Sequence, residues 1–306
     1  MSLAADILAG DTRAIARAMT LIESGDSQAE PLLKAIYPHT GKAHIVGVTG
    51  AAGTGKSSLI DRLTAEYRRR NKKVGILAVD PSSLFSTGAL LGDRVRMREH
   101  FLDPGVFIRS LATRGSSGGL SASLRDAVHI LDSAGKDTVL VETIGVGQDE
   151  LTVAALAHTV VVVLMPQTGD EVQSMKAGTA EIADILVVNK ADLPGAKEMV
   201  RQLQEQFPGG DIPIVLSSAA SNEGIALLTD VIEEHKKQSV SNGSYGRKQI
   251  DICRQELLAL LSERVLAQLV KNIGAKILDE QAERVAQRQI DPYSAAEALG
   301  KKTGFF

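Results

Sequence analysis

The chain has 306 residues, a single cysteine, no tryptophan and a formal net charge of −3, with 44% hydrophobic and 23% charged residues. This suffices for one large α/β domain with additions or for two small domains. The balance excludes a disordered or membrane class and gives no general electrostatic reason to bind nucleic acid or an anionic membrane. Cys253, being alone, forms no intramolecular disulfide and leaves no cysteine pair for structural zinc, which fits a reducing compartment. The amino-terminal segment has no unbroken apolar core of signal-peptide length. The most apolar run, Val160 to Met165, is far shorter than the roughly 20 residues that span a bilayer. A cytoplasmic protein with neither membrane nor nucleic-acid partners is expected.

From Ala5 to Ile36, apolar residues at roughly helical spacing, interrupted near Gly10 and Gly25, predict two or three short helices, an extension over residues 1–40. The pattern then changes. HIVGVT (44–49), KVGILAV (73–79), GVFIRS (105–110), TVLVET (138–143), TVVVVLM (159–165), DILVVN (184–189) and IPIVLS (212–217) read as strands, with helical segments such as Lys56 to Arg70 and Gly119 to Ala134 between most of them. Near-continuous Val/Ile/Leu strands separated by helices predict an α/β domain over residues 41–238, with a mostly parallel sheet covered on both faces. After a helix from Glu223 to Lys237, the polar stretch SVSNGSYG (239–246) reads as a linker. Beyond it Ile250, Leu257, Leu261, Val265, Leu269 and Ile273 form a helical stripe, widened by Leu258, Leu260 and Leu266. Residues 239–306 are therefore expected to be a helical region that either packs on the chain's own core or, the preferred reading, forms a homodimer.

Gly50-Ala51-Ala52-Gly53-Thr54-Gly55-Lys56-Ser57, followed by Ser58, fits GxxxxGK[ST] between a predicted strand and a predicted helix. Glycines at 50, 53 and 55 let the backbone bend around oxygen atoms, so that successive N–H groups and the helix N-terminus face a triphosphate. Lys56 supplies a positive charge at the β- and γ-phosphates, and the Ser57 hydroxyl suits magnesium, a hard cation that takes oxygen ligands. The fold class expected is thus a P-loop NTPase.

Asn189-Lys190-Ala191-Asp192 ends the strand DILVVN and resembles the NKxD signature of guanine-nucleotide binders. The Asp192 carboxylate can accept from guanine N1–H and the 2-amino group, whereas adenine offers no matching donors. Nucleotides bind such sheets at the carboxyl ends of their strands, where this segment falls. Ser218 and Ala219 follow the next strand, as a base-closing loop does. Glu142, at the end of TVLVET, begins Glu-Thr-Ile-Gly where familiar GTPases have DxxG. It either approaches magnesium, with the Gly145 amide answering the γ-phosphate, or is a solvated strand-end charge. No glutamine immediately follows Gly145; Gln148 lies three further on, so slow intrinsic GTP hydrolysis is expected. Asp80 and Asp93 either approach the metal from a switch loop or cap following helices. Arg94, Arg96, Arg98 and Arg114 have no assigned role.

Taken together and in order, GAAGTGKSS, DPSS, GDRVRM, TRGSSGGLS, VETIGVGQDE, GDEVQSMKAG and NKAD resemble the MeaB/ArgK family of methylmalonyl-CoA mutase-associated GTPases over nearly the whole chain. The resemblance implies a homodimeric GTPase chaperone that gates adenosylcobalamin loading and protection of methylmalonyl-CoA mutase or a related B12-dependent acyl-CoA mutase, the cobalamin being reached only through that partner. It further implies that Ser57, Asp80, Asp93 and Glu142 form the Mg2+ environment. The stretch Gly169 to Gly178, with Gln173 and Lys176, would be a loop answering to the mutase. The sequence departs from many members in lacking Trp and in reading PQTGDE where a glycine-rich version is common. Competing readings are a nickel-insertion GTPase, against which the scattered histidines and lone Cys253 argue, a P-loop kinase, which NKAD disfavours, and a nucleotide-gated binding module without turnover.

Overall fold

The computed structural model describes residues 2–80, 97–112, 119–143, 148–166, 181–207 and 212–303. It divides into two compact units, Met1–Ile252 and Cys253–Phe306.

The first unit begins with α1 (Leu3–Leu8), α2 (Thr12–Ser24) and α3 (Ala29–Ile36). Short polar side chains start the first two: Ser2 Oγ accepts from Ala5 N–H at 3.3 Å and Asp11 Oδ1 from Ala14 N–H at 2.7 Å. Ile7, Ile15, Met19 and Ile36 belong to the same buried cluster as Leu124, Ile130 and Leu131 of α5 (Gly119–Ser133). The amino-terminal extension therefore shares the core of the domain that follows it.

Seven strands make one sheet: β1 (His44–Thr49), β2 (Val74–Asp80), β3 (Val106–Ala112), β4 (Thr138–Thr143), β5 (Thr159–Leu164), β6 (Ile185–Val188) and β7 (Ile214–Leu216). All pairings are parallel, in the order β3-β2-β4-β1-β5-β6-β7. β1, β4, β5 and β6 are buried along their whole length, which explains their lack of polar alternation. On one face, Leu59, Ile60 and Leu63 of α4 (Lys56–Arg69) share a buried cluster with Leu228 and Ile232 of α8 (Ile225–Ser241). The other cluster takes in α1 to α3 and α5, with Val153 of α6 (Gln148–Leu156) and Met199 and Leu203 of α7 (Ala196–Gln206). Because every strand runs the same way, the carboxyl ends of all seven lie at one edge of the sheet, with β1 at its centre.

Residues 239–246 differ from the expected linker. Helix α8 runs to Ser241 and α9 (Ser244–Ile273) begins after a turn at Asn242 and Gly243. Gly243 has φ 75° and Asn242 Oδ1 accepts from Ser244 N–H at 2.8 Å. Polar composition there marks solvent-facing helix ends, and only the glycine breaks the helix. The second unit takes up α9 from Cys253 and continues with α10 (Ala275–Ala286) and α11 (Pro292–Lys302). Leu257, Leu258, Leu260, Leu261 and Leu266 of α9 are exposed.

Candidate nucleotide site

Gly50 to Gly55 leave β1 and turn directly into α4. Two of the glycines are required by space as well as by backbone. Gly50 has φ 140°, and a Cβ there would lie 2.2 Å from the Val163 carbonyl oxygen. Gly55 has φ 90°, and its Cβ would lie 2.5 Å from Asn189 Nδ2. The buried Lys56 donates from Nζ to the carbonyls of Gly50 at 2.6 Å and Ala51 at 2.9 Å, so its charge sits over the loop. With the amino end of α4 behind it, the loop presents the positive field that an anion needs.

Glu142 is the last but one residue of β4 and lies in register with Val48 of β1, which brings a carboxylate from one strand end to the loop leaving its neighbour. Ser57 Oγ donates to Glu142 Oε1 at 2.5 Å. One residue nearer the carboxyl edge, Thr143 Oγ1 donates to Thr49 Oγ1 at 2.9 Å and ties the two strand ends together. A hydroxyl and a carboxylate oxygen converging at the mouth of a phosphate loop suit a hard divalent cation. Among the described residues no group of three His, Cys, Asp or Glu could hold a metal by itself, so phosphate and water oxygens would complete such a shell, as magnesium prefers.

At the end of β6, Asn189 acts as a brace. Its Nδ2 donates to the Thr54 carbonyl at 2.8 Å, and its Oδ1 accepts from Ser217 Oγ at 3.3 Å and from Ala219 N–H at 3.2 Å. Lys190 takes the left-handed conformation, φ 57°, and its Nζ lies 3.4 Å from Met165 Sδ. Asp192 is exposed, and its Oδ1 accepts from Ser218 Oγ at 2.6 Å. That hydrogen bond, followed by one from its own backbone N–H, holds the carboxyl below the usual range, so it is charged at neutral pH. Strand ends from β1, β4, β6 and β7 thus bring Gly50 to Ser58, Glu142, Asn189 to Asp192, Ser218 and Ala219 to one edge.

Asp80 ends β2, and the structure describes its backbone only. Asp93, Gly145, Gln173, Lys176, the stretch from Gly169 to Gly178, Arg94, Arg96 and Arg114 lie outside the described residues. Arg98 begins a short 3-10 turn that ends at His100. Sequence reasoning missed the Thr49–Thr143 rung, Ser217, and Arg62, whose Nε donates to the Ala219 carbonyl at 3.1 Å. None belongs to a contiguous pattern; only the strand register could have pointed to the threonine pair.

Residues 15–274 match the family described as "Methylmalonyl Co-A mutase-associated GTPase MeaB". A protein of Pyrococcus abyssi with a GTPase designation is 44% identical over 302 residues, 96% of this chain and 93% of its own length. A Caenorhabditis elegans protein named "Methylmalonic aciduria type A homolog, mitochondrial" is 31% identical over 96% of this chain and 80% of its own length. The crystal structure of a protein described as a "LAO/AO transport system kinase" superposes with a TM-score of 0.71 at 25% identity, over 98% of this chain and 95% of that one.

Proposed function

Because the chain belongs to the methylmalonyl-CoA mutase-associated GTPase family, we propose that it is a GTP-driven chaperone of a B12-dependent acyl-CoA mutase, hydrolysing GTP slowly alone and faster with its client. The observation that carries the nucleotide part is the convergence of Lys56 on its loop, Ser57 on Glu142, and Ser218 on Asp192, with Asn189 bracing the phosphate loop against the base loop.

In this reading the N–H groups from Gly50 to Ser58 and the Lys56 ammonium bind the phosphates, and Asp192 reads guanine through N1–H and the 2-amino group. Ser57 and Glu142 would hold Mg2+, joined by Asp80 and Asp93, and the Gly145 amide would answer the γ-phosphate. When bound there, Mg2+ would supply positive charge to offset that building on the β- and γ-phosphoryl oxygens. No glutamine immediately follows Gly145, and Gln148 opens α6 instead, so water positioning waits for a partner. The mutase enters through the family's description and the name of the nematode relative. Gln173 and Lys176 are the residues assigned to it, and adenosylcobalamin belongs to the partner.

The exposed leucines of α9 support a homodimer built by residues 239–306, next to a GTPase domain over 41–238 and the extension over 1–40. Leu257→Glu combined with Leu261→Glu then yields a monomer in sedimentation. No helix among the described residues is long and apolar enough to cross a membrane, and a cytoplasmic location fits the reading.

Phosphate release from GTP, with and without saturating adenosylcobalamin-dependent mutase, tests the proposal. Stimulated release is expected. Slow release that no such mutase accelerates would end the chaperone reading, and no release under any condition would end the enzyme reading.

A further inference from the structure

We propose that Arg62 is a positioning residue for guanine selection, holding the loop after β7 so that Ser218 keeps the Asp192 carboxylate aimed at the base. The inference rests on the guanine-nucleotide reading above and deepens it. Arg62 lies on α4, the helix that starts with Lys56 and Ser57. Its Nε donates to the Ala219 carbonyl at 3.1 Å, while the Ala219 N–H donates to Asn189 Oδ1 at 3.2 Å. Both polar groups of this buried residue are therefore taken, one by the base-reading segment and one by the phosphate-binding helix. The residue before it gives its hydroxyl to Asp192 at 2.6 Å. Ser218 also exchanges backbone hydrogen bonds with Glu223, at 3.0 and 3.1 Å, which closes the loop on itself. Within that closed loop Asn222 is forced to φ 61°. A short loop carrying a left-handed non-glycine residue needs outside ties to stay in one conformation.

A purely architectural role for Arg62 is disfavoured by what else joins α4 to α8. Arg70 already donates to Asp230 Oδ1 at 2.6 Å and to the Ala226 carbonyl at 3.2 Å, and Leu59, Ile60 and Leu63 share their apolar cluster with Leu228 and Ile232. The two helices have their own anchors. What Arg62 adds is a charged donor on a carbonyl of the base loop, and losing it frees the loop that orients Asp192.

The test compares full-length wild type with Arg62→Met, which keeps the aliphatic stem, and with Arg62→Lys, which keeps a charged donor. GDP and inosine diphosphate, whose base lacks the 2-amino group, compete against fluorescent GDP in the presence of Mg2+, and melting temperature is recorded without nucleotide. The GDP-to-IDP affinity ratio should fall about tenfold in Arg62→Met and less in Arg62→Lys, as expected for one hydrogen bond from a charged donor, with melting temperatures near wild type. A wild-type ratio in Arg62→Met, even with every nucleotide weakened, would overturn the inference. Should Arg62→Met fail to fold, Arg62→Ala, which also removes the donor, is read the same way: a wild-type ratio would overturn the inference and a narrowed one would support it. Wild type that binds ADP as tightly as GDP would instead defeat the guanine reading itself, independently of Arg62.

Discussion

At the carboxyl edge of the sheet, charged side chains sit on short loops beside exposed backbone: Ala51, Ala52 and Gly53 face solvent, as does Asp192. The amino edge also gathers polar side chains but turns them inward. There Thr159 Oγ1 lies 2.9 Å from His44 Nε2 and 2.8 Å from His235 Nδ1. His158 Nδ1 accepts from Ile45 N–H at 3.0 Å, so the imidazole carries its proton on Nε2, 2.7 Å from Gln249 Oε1 on α9. Lys248 donates to the His158 carbonyl at 3.3 Å and to Asp184 Oδ2 at 3.4 Å, and Asp184 also accepts from Val160 N–H at 2.8 Å. Burial, followed by the hydrogen bond to Gln249 that partly offsets it, leaves the His158 pKa down at about 4; burial and the nearby Lys236 drive His44 lower still. At one edge the phosphate loop and the Asp192 carboxylate reach solvent beside the buried Lys56 and Glu142, and at the other the titratable rings are neutral and hydrogen-bonded within the fold. The two edges thus use similar residue types, the first beside loops that reach solvent at Ala51 to Gly53 and Asp192, the second in a network closed within the fold.

If that division holds, damage to the two edges separates cleanly. The largest effect falls on specificity: Asp192→Asn should lower the preference for GTP over XTP by about 10⁴, because xanthine O2 accepts where guanine donates. Its melting temperature should not move, since Asp192 is exposed. Lys56→Ala should weaken both GTP and GDP by about a hundredfold or more, through lost charge-assisted hydrogen bonds. With no tryptophan in the chain, both variants are followed with a fluorescent nucleotide.

The amino edge should answer to pH instead. A histidine held neutral in the fold leaves stability intact above the unfolded pKa near 6.5 and lowers it as pH falls towards the folded value. With His158 at about 4 in the fold, its share of the loss at pH 5 is about 2 kcal/mol. Urea unfolding at pH 7.5 and pH 5 should show the loss in wild type and a smaller one in His158→Asn, whose amide oxygen can replace Nδ1 as acceptor. GDP affinity of the folded protein should hold across the same window, because the Asp192 carboxyl lies below its usual range. Equal pH dependence of stability in His158→Asn would remove His158 from this role. The smallest effect is that of Thr159→Val, which deprives two imidazoles of their shared hydroxyl and should cost about 1–2 kcal/mol in unfolding without altering nucleotide affinity.

The same contrast explains what could be read before folding. The phosphate loop and NKAD are contiguous because each is one strand end and its turn, and the strands were legible because burial on both faces demands uninterrupted Val/Ile/Leu runs. Glu142 was legible by its place at a strand end. The anchoring network was not, since His44, His158, Asp184, His235 and Gln249 come from separate elements and mean nothing one at a time. Asp132, whose carboxylate accepts from the N–H groups of Gly41 at 2.5 Å and Ala43 at 2.9 Å, escaped for that reason, as did Arg62. Residues 239–246 misled because solvent exposure of helix ends and a true linker draw on the same polar residues.

The central claim is that the carboxyl edge is built for guanine nucleotides. Displacement of fluorescent GDP from the wild-type protein by GTP and by ATP, side by side with Mg2+ present, tests it most directly. The account predicts that ATP competes about 10³-fold or more worse than GTP, because adenine leaves the Asp192 carboxylate without donors. Equal displacement by the two nucleotides would contradict it.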